Sequence, residues 1–227
     1  MATTTGLAGT AEHLIRGRRA TRAFLPHPVP DKTIRAAFDL AGAAPSNSNA
    51  QPWQVEVVSG ATRDKLAEAL IRADQAGRRT VDFPYSEDIY ASVHRQRRAA
   101  WGAAVYAALG IDRDAPDLLA AYNAKSLSFY DAPHVALLYA PESGDPRLTA
   151  DLGMYAQTLL LAMAAYGVAS CPQAMLSFYA DTVRETLGVI GGKLLLGISF
   201  GYPDPSAAIN AVTVGRASLE ETTRFHH

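Results

Sequence analysis

The sequence predicts an α+β sandwich. Two short apolar runs bounded by Pro or Gly, "HVALLYA" (134–140) and "KLLLGISFG" (193–201), read as buried strands. Helical patterns outnumber the strands and do not alternate with them, which argues against a doubly wound parallel sheet. A chain of 227 residues, 48% hydrophobic and 19% charged, can bury one sizeable core.

Asp31 is placed to cap a helix whose Ile34, Ala37, Phe38 and Ala41 recur at helical spacing. That helix runs into "APSNSNAQPW" (44–53), rich in neutral hydrogen-bonding groups and without a charged residue. Turn chemistry alone explains Pro, Ser and Asn there; a polar platform for a flat ligand is the competing reading. "WQVEVVS" (53–59) reads as a β-branched strand, and Thr62 opens a helix with Leu66, Leu70 and Ala73 on one face. After a loop, "GRRTVDFPYSED" (77–88), Ser86 is positioned to cap a long helix through Ile89, Tyr90, Val93, Trp101 and Val105. Another helix surrounds Leu118, Leu119 and Tyr122; both are amphipathic and fit an outer layer.

The stretch 148–166 is apolar nearly all round and stops at Gly167, so it belongs in the core, at a subunit interface, or both. Asp151 and Gln157 interrupt it, leaving an apolar run well short of the roughly 20 residues that span a bilayer. "YPDPSAAINAV" (202–212) is too proline-rich for a helix.

A formal net charge of −1 provides no global field for nucleic acid or an anionic membrane, so neither is expected as a partner and any anion site is local. One cysteine, Cys171, excludes an internal disulfide and fits a reducing compartment. The first seventeen residues lack a leader pattern, which makes the cytoplasm the expected location. No Cys/His spacing suits a metal.

Four candidate sites follow. Gly197-Ile198-Ser199-Phe200-Gly201 matches the G-x-S-x-G elbow of serine hydrolases, but an elbow leads into a helix and Tyr202-Pro203-Asp204-Pro205 cannot supply one. "GVIGGKLLLG" (188–197) lacks phosphate-loop spacing and has Leu194 after Lys193. Cys171 has no adjacent basic residue and reads as a small buried hydrophobe. The fourth is Arg16, Arg18, Arg19 and Arg22. An arginine cluster is commonly a solvated face. Paired with Ser46, Asn47, Asn49 and Gln51, however, it offers bidentate donors for a phosphate and a polar edge for a flat ring, the two halves of a mononucleotide.

"RRATRAF" (18–24), then "PVP", then "APSNSNAQPW" resembles the FMN-dependent nitroreductase family, whose forms are close to R-R-S-x-R-x-F and A-P-S-G-x-N-x-Q-P-W. "FYDAPHVALLY" (129–139), "DLGMYAQTLLLAMAAYGVASCPQAM" (151–175) and "GRASLEETTRF" (215–225) continue the likeness.

The resemblance implies a mixed, mainly antiparallel sheet flanked by helices, in one FMN-binding domain over 1–227. A helical excursion spans about 84–128 and a C-terminal extension about 205–227. It also implies an intertwined homodimer with FMN at the interface. By position, Arg18, Arg19 and Arg216 would approach the phosphate and ribityl end and Arg22 the N1 and C2-carbonyl edge. Ala20, Pro45, Ser46, Asn47 and Asn49 would line the flavin, Gln173 and Ala174 would present backbone N–H groups near N5, and Tyr122, Phe129 and Tyr130 would wall the substrate pocket. Plain core aromatics are the equal alternative for those three. Ala20, Asn47 and Val214 depart from the family's common Ser, Gly and Lys.

The implied activity is transfer of a hydride from NADPH or NADH through the flavin to a nitroaromatic acceptor, with no obligatory acid or base from the chain. Flavin, ene- or quinone reduction, or simple flavin binding, are the alternatives on such a fold.

Overall fold

The computed structural model describes residues 6–112 and 114–227; the first five residues of the stretch read for a leader lie outside them. Four strands form one sheet: β1 (Gln54–Ser59), β2 (His134–Ala140), β3 (Ala169–Gln173) and β4 (Lys193–Gly201). Their order is β1-β2-β4-β3, and every ladder is antiparallel. The parallel component among the described residues is confined to isolated bridges, Ala20 with Ser170 and Thr80 with Tyr179.

All seven residues of β2 are buried. Successive side chains point to opposite faces, so Val135, Leu137 and Tyr139 enter one apolar cluster and Ala136, Leu138 and Ala140 another. The first cluster is covered by α3 (Gly60–Gln75), through Leu66, Leu70 and Ala73, and by α7 (Ala180–Leu187), through Val183. The second is covered by α2 (Asp31–Ala41) and α6 (Pro146–Ala165), through Ala37, Ala41, Leu152, Leu159 and Met163.

Several expectations shift. Asp31 begins α2 but does not cap it, the N-cap position falling on Pro30; its carboxylate accepts instead from Arg35 Nε at 2.6 Å, one turn along. Thr62 lies two residues inside α3. Ser86 caps a short turn, Glu87–Ile89, by accepting from Asp88 N at 3.2 Å; the long helix α4 (Ser92–Leu109) starts beyond an extended Tyr90 and Ala91. α5 spans Pro116–Leu127. The proline-rich stretch after β4 holds one 3-10 turn, Ala208–Ala211.

The pattern reading did not anticipate α1 (Leu7–Gly17), β3, α7 or the four-residue α8 (Leu219–Thr222). β3 tolerates Pro172 because it is an edge strand. At 20 residues α6 is, among the described residues, long and apolar enough to cross a membrane, which the count of uninterrupted apolar residues did not reveal. Its buried face lies in the second cluster, the setting of a core helix.

His134, buried at the start of β2, accepts from Val29 N at 2.9 Å through Nε2, so the proton sits on Nδ1, which donates to Ser59 Oγ at 2.5 Å. Its ring stacks on Phe200 at 5.0 Å. Burial depresses its pKa. The unfolded chain therefore takes up the proton first, and stability present above about pH 6.5 is lost as pH falls through the lowered folded value. Thermal unfolding from pH 7.5 to 5 is expected to show a declining Tm in the wild type and a shallower decline in His134→Gln. Parallel slopes would remove His134 as the cause.

Candidate flavin site

Past α1 the chain crosses the open edge of β3, where Thr21 N donates to Ser170 O at 3.0 Å and Leu25 N to Tyr202 O at 2.8 Å. Asn210 clamps the segment from the C-terminal side: its Oδ1 accepts from Arg22 N at 2.8 Å and its Nδ2 donates to Ala23 O and Asp204 O, each at 2.9 Å. The result is a cleft of about 770 Å³ in which Arg16, Arg18, Arg19, Arg22 and Arg216 share the lining with Ala20, Trp101 and Gln157, and with no carboxylate. Val214, at the position of the family's Lys, also lines it.

Arg16 pairs with Glu12 at 2.8 Å, whereas Arg18, Arg19, Arg22 and Arg216 have no carboxylate partner among the described residues. Arg22 donates to Ala20 O at 3.4 Å and lies 5.2 Å over the Trp101 ring; Arg216 donates to Val214 O and Gly215 O. Burial lowers the pKa of Arg18, and the neighbouring charge of Arg216 lowers it further. Partly buried without a carboxylate in the cleft lining, this guanidinium offers a charge that a phosphate would satisfy through bidentate hydrogen bonds. The donors present therefore fit a phosphate-bearing cofactor.

The neutral stretch forms a tight turn beside α6. Ser46 Oγ accepts from Gln51 N at 2.9 Å, Asn49 N donates to Ser46 O at 3.1 Å, and buried Asp151 on α6 accepts from Asn47 N at 3.1 Å. Pro45, Asn47 and Asn49 are exposed and Ser46 half-exposed. None of them lines the arginine cleft, so a single chain does not bring the two halves together.

Gln173 is buried, its Nε2 donating to Ser126 O at 2.8 Å and to Ser126 Oγ at 3.0 Å, while its Oε1 accepts from Ser199 Oγ. Ala174 follows it, exposed, at the start of a 3-10 turn. Ser199 is fully buried within β4, so its G-x-S-x-G is part of a strand and the nucleophile reading fails. Burial pushes the Cys171 thiol up to about 11, against the pull of Arg22 and Arg18, which excludes a thiolate nucleophile near neutral pH.

Phe129 and Tyr130 are core aromatics in the single chain, 0% and 6% exposed. Tyr122 is half-buried, with its ring 6.3 Å from Tyr130 and 6.2 Å from Tyr106. The Arg63 guanidinium sits 5.4 Å over the Phe129 ring and donates to Ser128 O at 2.5 Å. Ser48, Asn49, Gln51, Phe129, Tyr130 and Asp131 are the non-glycine positions with positive φ among the described residues, and all fall in two segments singled out from sequence. Such strain costs of order 1–3 kcal/mol per residue and gathers at functional sites.

Sequence reading missed Trp101, Asp151 and Asn210 as site-builders. Only Trp101 carried a signal, an indole in the basic run "HRQRRAAW" (94–101).

A sandwich with an arginine cleft of this kind defines a flavoprotein-like class, and comparison makes it specific. The Nitroreductase family profile matches residues 15–202, and the chain belongs to that family. It is 63% identical over 222 residues to the nitroreductase NfnB of Mycolicibacterium smegmatis, covering 98% of this chain and 95% of that protein. A crystal structure of the FMN-dependent nitroreductase NfnB from Mycobacterium smegmatis in complex with NADPH is similar, with a TM-score of 0.96 at 62% identity, covering 98% of this chain and 100% of that one. A 4-nitrobenzoate reductase of a Nocardioides species is 33% identical, over 93% of this chain and 88% of its own.

Asp151→Ala leaves the Asn47 N–H without its acceptor and is expected to lower stability by about 1–3 kcal/mol. Asp151→Asn, which keeps an acceptor oxygen, should recover most of that in urea unfolding. Equal losses would assign the anchoring to charge.

Proposed function

We propose that this chain is an FMN-dependent nitroreductase that oxidises NADPH or NADH and reduces small nitroaromatic compounds. The observation that carries the reading is the carboxylate-free cleft in which Arg18, Arg19, Arg22 and Arg216 meet. Bound FMN supplies two-electron transfer between a nicotinamide and a nitro group.

The chain's own residues position and tune. Arg18, Arg19 and Arg216 would hold the phosphate, with no hydroxyl supplied at Ala20. Arg22, fixed by Asn210 through its backbone and by Trp101 through its side chain, would meet the ring edge. Gln173, immobilised by Ser126 and Ser199, orients its own backbone and that of Ala174.

The working form is a homodimer. α6 leaves a stripe of Gly153, Met154 and Gln157 exposed, and α1 exposes Leu7 and Ile15 beside it. Asp151, which anchors the polar turn, and Gln157, which lines the arginine cleft, lie on this same helix. A second copy seated on α6 would let the turn of one protomer complete the cleft of the other. Each subunit would be one FMN-binding domain with a helical excursion at about 84–128 and a C-terminal extension at about 205–227, and its single, buried cysteine accords with the cytoplasm.

Purified protein is expected to carry a flavin absorbance band, to oxidise NADPH or NADH faster when nitrobenzene is added, and to scatter light as twice 24.2 kDa. A mass of one chain at micromolar concentration with FMN would refute the dimer. Arg22→Ala should retain FMN yet lower its reduction potential by a few tens of millivolts, from a lost charge-assisted hydrogen bond of about 1.5–3 kcal/mol at about 1.4 kcal/mol per 30 mV. Arg18→Ala should weaken FMN retention and barely move the potential of the bound fraction. An unchanged potential in Arg22→Ala removes it from the ring edge.

A further inference from the structure

Trp101 is a shared wall. Its indole, 38% exposed, lines the arginine cleft and also a second cleft of about 660 Å³ between α4 and the C-terminal segment, lined further by Arg97, Arg98, Ala217 and Glu221. Val214 and Arg216 line both clefts, so the two adjoin along these three residues.

A nicotinamide dinucleotide is longer than the mononucleotide it reduces. With its nicotinamide at the flavin, its adenosine arm and phosphates need a second site. The adjoining cleft supplies an exposed indole for a purine to stack on and guanidiniums for phosphate. These guanidiniums are not equally available. Arg98 is engaged by Glu87 and by Tyr85 OH at 3.2 Å, and lies 4.1 Å over the Tyr90 ring. Arg97 has one partner among the described residues, Glu221 Oε1 at 3.0 Å, and both side chains are about half exposed, 44% and 54%. Glu221 also caps the short helix α8, accepting from Ser218 N at 2.8 Å. An exposed pair of this kind contributes little, so a dianionic phosphate can displace the single carboxylate.

NADPH and NADH differ by one phosphate, on the adenosine 2′ oxygen. We propose that the cleft between α4 and the C-terminal segment binds the adenosine arm of the donor, with Arg97 exchanging Glu221 for the 2′-phosphate, so that NADPH is preferred over NADH. This inference rests on the FMN nitroreductase reading for the donor's use, but its binding step can be measured apart from turnover.

The test is twofold. Calorimetry of the FMN-loaded protein with 2′,5′-ADP should show binding that weakens about tenfold in Arg97→Ala, partly recovers in Arg97→Lys, and tightens in Glu221→Gln. In steady-state oxidation with nitrobenzene as acceptor, the ratio of kcat/KM for NADPH to that for NADH should fall about tenfold in Arg97→Ala and rise in Glu221→Gln. Equal 2′,5′-ADP affinity in wild type and Arg97→Ala, an unchanged donor ratio, or a wild type that prefers NADH would each overturn the assignment. Binding of 2′,5′-ADP that depends on Arg97 in a protein that oxidises neither donor would uphold the subsite and refute the nitroreductase reading instead.

Discussion

β2 is hydrogen-bonded on both edges and covered on both faces, and the remaining architecture follows from that constraint. A strand so enclosed needs helices above and below it, which α3 and α7 provide on one side and α2 and α6 on the other. The segments leaving its two ends are therefore fixed in space. Before it stands the left-handed Phe129–Asp131 turn, held under Arg63; beside its first residue, His134 ties β1 and the 25–30 loop to the sheet. Strain in such a turn persists only where the surroundings over-determine it, and a fully buried strand is that kind of surrounding.

The arginine cleft is assembled at the other extreme of the sheet, on its exposed β3 edge. An unpaired edge invites association, and here the bridge from Ala20 to Ser170 covers it with the protein's own cationic segment. Apart from Arg16, which pairs with Glu12, the gathered guanidiniums are held in place by backbone bonds to Ser170, Tyr202 and Asn210 and not by counter-ions among the described residues. Burial first, and then the nearby charge of Arg216, lower the pKa of Arg18, a cost of gathering these groups at the edge. Any anion that binds there relieves it and stabilises the fold by mass action, so a cofactor phosphate would be part of the structural balance of this edge.

Elements with a strong local period were legible: α2, α3, α6, β1, β2 and β4 lie where spacing put them, apart from shifts of a few residues at their ends. β3 was not, because Ser170, Pro172 and Gln173 break the apolar pattern and its pairing with β4 is long-range. Two-turn α7 is too short to show a period. Ser86 is a real cap, read onto the wrong element since a three-residue turn and an extended pair intervene before α4. In the site, the arginines were legible because they are neighbours in sequence. Asn210 was not, since it meets Arg22 across 188 residues, and Asp151 meets Asn47 across 104. Residue type alone could not say that Phe129 and Tyr130 are closed within the core while Trp101 stands open.

The Ser199 hydroxyl shows why a motif needs its surroundings. It has no exposed surface within β4, and its proton is already donated to Gln173 Oε1. Gln173 in turn gives both its donor contacts to Ser126, at the end of α5. A serine in that chain cannot attack anything arriving from solvent, and removing it would leave a buried amide oxygen unsatisfied, at roughly 1–3 kcal/mol. What the motif's serine does instead is join β4, β3 and the end of α5 through one amide. That amide belongs to the residue whose backbone leads into exposed Ala174, so the same buried hydrogen bonds that exclude a hydrolase give the proposed flavin site a rigid floor.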